Sequence, residues 1–65
     1  MSEAYIALNP KTLECVEVGL TETGRAVAAA NERLVVILST KRAAKRSFLK
    51  VFESLEDAQN EAARD

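Results

Sequence analysis

The chain contains no histidine and no tryptophan, and only one cysteine, one proline and two glycines in 65 residues. Without histidine it lacks the commonest general base, the commonest metal ligand and the side chain that changes charge near neutrality. One cysteine excludes an internal disulfide and any cysteine-based zinc site. The isolated Gly19 and Gly24 do not make a phosphate-cradling loop. No apolar run approaches the roughly 18 residues that span a bilayer, and no basic-then-apolar leader opens the sequence. A soluble, cytoplasmic domain without membrane contact is therefore expected.

What is present supports one small folded domain over 1–65. Hydrophobic residues make up 48% of the chain, above a disordered composition. Eleven of them are alanine, which buries little area, and Tyr5, Phe48 and Phe52 are the only aromatics. Domains of this size sit near the stability limit unless stapled. With no disulfide or metal available, a homodimer or a partner-bound state is the expected staple.

Residues 3–18 read as a β-hairpin about Asn9-Pro10-Lys11-Thr12, where Asn and Pro supply the turn chemistry. This turn pairs Leu8 with Leu13, Ile6 with Cys15 and Ala4 with Glu17. One face then carries Ala4, Ile6, Leu8, Leu13 and Cys15 toward a core, and the other carries Tyr5, Val16 and Val18. Thr21-Glu22-Thr23 offers caps for a short helix over 22–31, weakened by Gly24 and stopped at Asn31. The run Leu34–Leu38 is unbroken, apolar and rich in β-branched residues, so it reads as a strand buried on both faces. A basic tip at 41–46 leads to a further strand around 48–52. Ser54, with Glu56 and Asp57 behind it, starts a last helix whose inward stripe is Leu55, Ala58 and Ala62.

The expected fold is α+β with the order β-β-α-β-β-α, an antiparallel sheet packed on one face by two short helices. An alternative is an N-terminal hairpin plus one long helix over 40–65, because Ala44, Phe48, Val51, Leu55, Ala58 and Ala62 keep heptad spacing. Against it, Lys41 and Arg42 would stand at the positive end of the helix dipole, and the Ser54 cap would be wasted.

No catalytic residue, metal site or cofactor is expected. Ser39, Ser47 and Ser54 have no imidazole to activate them, and no Ser–Lys motif occurs. Cys15 faces the core of the hairpin and acts as a small hydrophobe. Glu14 and Glu17 would fall on opposite faces of a strand, and Glu56, Asp57 and Glu61 read as a cap and a solvated helix face.

Two binding features remain. If both helices lie on one side of the sheet, Tyr5, Val16, Val18, Val35 and Ile37 form an open apolar face suited to a protein partner. If a helix covers each face, that patch disappears. The second feature is charge: residues 1–40 sum to −2, 41–50 to +5 and 51–65 to −4. Lys41, Arg42, Lys45, Arg46 and Lys50 could contact nucleic-acid phosphates with Phe48 stacking on a base, or could pair internally with the acidic last helix. The leading expectation is a non-enzymatic protein-binding module, a small regulator or inhibitor that occupies a surface of a larger macromolecule. A nucleic-acid-binding regulator is the alternative.

Overall fold

In the computed structural model, which describes residues 3–30 and 33–64, six elements follow one another. They are β1 (Ala4–Leu8), β2 (Cys15–Leu20), α1 (Thr21–Ala30), β3 (Val35–Ser39), α2 (Lys41–Ser47) and α3 (Leu55–Ala63). The three strands form one antiparallel sheet in the order β2-β1-β3. The domain is thus a small compact α+β fold with the order β-β-α-β-α-α, which corrects the expected β-β-α-β-β-α. No described helix is long and apolar enough to cross a membrane.

The first hairpin forms as its turn residues dictate, but with a longer loop. Asn9 Oδ1 accepts the Lys11 N–H at 2.8 Å, and the Asn9 carbonyl accepts the Leu13 N–H at 2.7 Å. Leu13 takes a left-handed φ of 61°, so the chain spends two more residues on the turn than the expected pairing allowed. Leu8 consequently faces Cys15, and Ala4 faces Leu20. Val16 is the extra residue of a bulge between the Ala7–Glu17 and Leu8–Cys15 pairs. A bulge reverses which side chains point to which face. Val18 therefore turns inward beside Ile6 and packs on the core, where the unbulged register had placed it outside.

Both faces of the sheet are covered. Ala4, Ile6 and Leu8 pack with Cys15, Ala44, Phe52, Ala58 and Ala62, so α2 and α3 lie on that side. Tyr5 points the other way, toward α1. A Cβ on Gly24 of α1 would stand 2.6 Å from Tyr5 Cγ, and a Cβ on Gly19 of β2 would stand 2.8 Å from Tyr5 Cε1. The two glycines of the chain both abut its one tyrosine. Neither has a positive φ, so what each supplies is space. β1 is buried along its whole length, and it, not 34–38, is the strand enclosed on both faces. β3 is an edge strand, half-buried over Val35–Ile37. The expected stop of α1 at Asn31 lies outside the described residues.

The segment expected as a basic hairpin tip is helix α2. Thr40 caps it, its hydroxyl accepting the Ala43 N–H at 3.1 Å, and Lys-Arg-Ala-Ala-Lys-Arg are strong helix formers. Ala43, Ala44 and Ser47 turn inward and the charged side chains turn out. The long helix over 40–65 does not form either. Phe48 leaves helical geometry, Leu49 adopts a φ of 65°, and Ser54 caps α3 by accepting the Asp57 N–H at 3.1 Å. Between them, the expected strand at 48–52 is reduced to a short ladder beside Leu13–Cys15, with one bridge from Val51 to Glu14. On α3 the inward residues are Ala58 and Ala62, whereas Leu55 is exposed.

Ser47 is fully buried, and its hydroxyl has no hydrogen-bond partner among the described residues. An unsatisfied buried hydroxyl costs about 1–3 kcal/mol. Ser47→Ala removes that cost and adds helix propensity, so chemical denaturation is expected to show a gain of about 1 kcal/mol. A loss of stability would mean that the hydroxyl has a partner in solution.

Candidate functional site

The bulge and the Thr40 cap together build a surface groove. The bulge sets Val18 and Leu20 on the same side of the sheet as Ala4, and the cap starts α2 beside them. Between β2 and α2 lies an open groove of about 480 Å³. Its apolar part is Ala4, Val18, Leu20 and Ala44, and its charged part is Lys41, Arg42 and Lys45. Leu20 is 58% exposed, a large apolar side chain left in water at the end of an edge strand.

The five basic residues divide by what they touch. Arg46 is tied to the fold at the surface. Its guanidinium pairs with the Glu61 carboxylate and donates to the Arg64 carbonyl at 2.8 Å, which clips α2 to the end of α3. The hydrogen bond from Arg46 to its carboxylate holds the Glu61 carboxyl below its ordinary pKa. Lys50 stands over the Phe52 ring, 5.4 Å from its centre. Lys41 reaches Glu3 only at 3.9 Å, with both side chains mostly in solvent, a pairing of little energetic weight. Arg42 and Lys45 make no ion pair among the described residues. The groove therefore keeps a positive rim, while part of the charge of 41–50 is internally satisfied.

A second depression of about 420 Å³ lies between residues 50–53 and α3. Lys50 and Arg64 line it together with Glu53, Asp57 and Glu61, so it presents both signs of charge and selects neither.

The residues expected on an open sheet face are dispersed. Tyr5 is 1% exposed, with its ring enclosed and its hydroxyl donating to Glu17 Oε2 at 2.6 Å. Burial first, then the bond to Glu17 and its charge, push the phenol from 10.0 up to about 12. Val35 and Ile37 pack against the α2–α3 side of the core, and Val18 does the same. Val16, at the bulge, is 40% exposed. The five do not share one open face: α1 lies over the Tyr5 side, while Val18, Val35 and Ile37 are half-buried on the other side and Val16 is exposed at the β2 edge. Leu20, Ala44 and the Thr40 cap are what the sequence reading missed. A threonine followed by good helix formers with alanines three and four positions on was the available signal.

Cys15 is buried and its thiol is pushed up, chiefly by desolvation, which leaves it unreactive. Among the described residues, no group of three or more Cys, Asp or Glu side chains stands close enough to hold a metal ion. No protein-family profile, curated protein or solved structure matches the chain.

Proposed function

We propose that this domain is a non-enzymatic protein-binding module, a small regulator or inhibitor that acts by occupying a surface of a larger partner. The observation that supports it is the β2–α2 groove, in which an exposed leucine and an apolar floor lie beside three outward cations. Apolar anchors with a charged rim are the usual composition of a protein interface, the anchor supplying affinity and the rim orientation and on-rate.

The test is capture of partners from source-cell lysate, with and without nuclease, by the wild type and by an Arg42→Glu/Lys45→Glu variant. Both side chains are exposed and make no ion pair among the described residues, so the variant should melt like the wild type. The expected result is a roughly stoichiometric protein band that survives nuclease and disappears with the variant. A band that persists with the variant places binding elsewhere.

Nucleic-acid binding is the second reading, and the three cations on the outward face of α2 favour it. Three phosphate contacts by Lys41, Arg42 and Lys45 give a slope of about −2 to −3 in log K against log salt. Capture that vanishes on nuclease treatment would select this reading over the first.

A further inference from the structure

Resting on the protein-binding reading, we propose that the free stretch of β2, Val16–Leu20, receives an acidic, extended segment of the partner as a fourth strand. The segment would set an apolar side chain on Leu20 and a carboxylate on Arg42 and Lys45. β2 is an edge of the sheet, and part of that edge is already used by the chain itself. The Phe52 N–H donates to the Leu13 carbonyl at 3.0 Å, the Cys15 N–H to Lys50 at 2.9 Å and the Leu49 N–H to Cys15 at 2.9 Å. This internal strand stops at Leu49, whose φ of 65° belongs to the turn joining it to α2. From Val16 onward no strand lies beside the edge among the described residues. Backbone groups on such an edge are a ready template for another chain.

The chemistry of the occupant follows from what stands over the free stretch. In a strand added to β2, every second side chain points to the α2 side. There it meets the apolar side chains of Val18 and Leu20 and the cations of α2, which line the same groove. An acidic residue alternating with a large apolar one on the same face matches both. The opposite edge, β3, carries no ionisable side chain on the strand, so it offers no charge selection. A basic or wholly apolar segment would leave the α2 cations uncompensated or repelled.

The experiment is an NMR titration of the isotopically labelled protein with a capped nonapeptide, Thr-Leu-Thr-Glu-Thr-Leu-Thr-Glu-Thr, and with its lysine-for-glutamate counterpart. The expected result is saturable shifts at Val16–Leu20 and Lys41–Lys45 and slowed amide exchange along β2. Arg42→Glu/Lys45→Glu should weaken the acidic peptide at least tenfold, and the lysine peptide should not bind. Absence of saturable shifts up to about 1 mM, or equal binding of both peptides, overturns the proposal. Shifts centred on β3 or on 48–51 overturn strand addition at β2 and leave the protein-binding reading standing. If a single-stranded oligothymidylate saturates α2 at lower concentration than the peptide, both fall.

Discussion

Replacing Gly24 with alanine will lower the thermal midpoint, by about 4–8 °C for each kcal/mol by which overpacking exceeds the propensity gain, the opposite of what the same change does on an exposed helix. Glycine in a helix interior costs roughly 1 kcal/mol relative to alanine, so by propensity alone the substitution stabilises. Here the new Cβ would stand 2.6 Å from Tyr5 Cγ, 2.7 Å from Cδ1 and 2.8 Å from Cβ. Turning the ring does not help, because the Tyr5 Cβ is fixed to the backbone of the central strand. Helix α1 must move away, and such overpacking costs about 1–3 kcal/mol or more. A domain of this length has only ~3–10 kcal/mol in total. Gly19→Ala meets the far end of the same ring, at Cε1, and should cost less. Thermal melts of the two variants beside the wild type decide the matter. An unchanged or raised midpoint for Gly24→Ala would show that α1 does not need close contact with Tyr5.

The second large effect belongs to Tyr5 itself. Tyr5→Ala empties a site enclosed by β1, β2 and α1, and removing a buried aromatic costs about 3–5 kcal/mol. Against the small total, the variant should be largely unfolded at 37 °C. Tyr5→Phe keeps the packing and loses one hydrogen bond to a solvent-exposed carboxylate, so it should fold with a loss of about 1 kcal/mol. The two variants also separate by pH. The phenol is pushed up to about 12 in the fold and ionises near 10.0 in the unfolded chain. As pH rises past 10 the unfolded state gives up its proton first and is favoured. The contribution from Tyr5 is therefore complete below pH 10 and lost as pH climbs toward 12. Tyr5→Phe should not show that component, which separates it from lysine titration in the same range. With one tyrosine and no tryptophan, absorbance near 295 nm follows this single group. A midpoint near 10 in the folded protein would refute the enclosed, hydrogen-bonded phenol.

Local chemistry was legible in the sequence, and long-range geometry was not. The Asn9-Pro10 turn, the helix after Leu20 and the Ser54 cap each depend on residues within four positions, and each forms. The bulge at Val16 is one extra backbone residue with no composition of its own, yet it decides the face of Val18. Gly24 read as a weak helix position because its reason for being glycine lies 19 residues away, at Tyr5. The apolar run 34–38 looked like the centre of a sheet, but hydrophobicity does not count neighbours. The true centre, Ala-Tyr-Ile-Ala-Leu, has small residues that let helices approach from both sides. α2 was legible only as the start of the alternative helix over 40–65, because its inward residues are two alanines and a serine, which make no stripe of large apolar side chains. For the site, the charge of 41–50 was evident, but only the structure separates Arg46, bound to Glu61, from Lys41, Arg42 and Lys45 on the groove.

The edge position of β3 has a consequence for the chain before it folds or after it melts. Leu34–Leu38 is five apolar residues in sequence, uncharged and without proline, the composition that stacks into cross-β fibrils. Arg33 precedes it, and Lys41 follows two hydroxyl residues later. In an in-register stack these two cations would recur every ~4.7 Å along the fibril and repel one another. They are gatekeepers, guarding the denatured chain against its own most adhesive segment. Their protection is electrostatic and therefore fades as salt shortens the screening length.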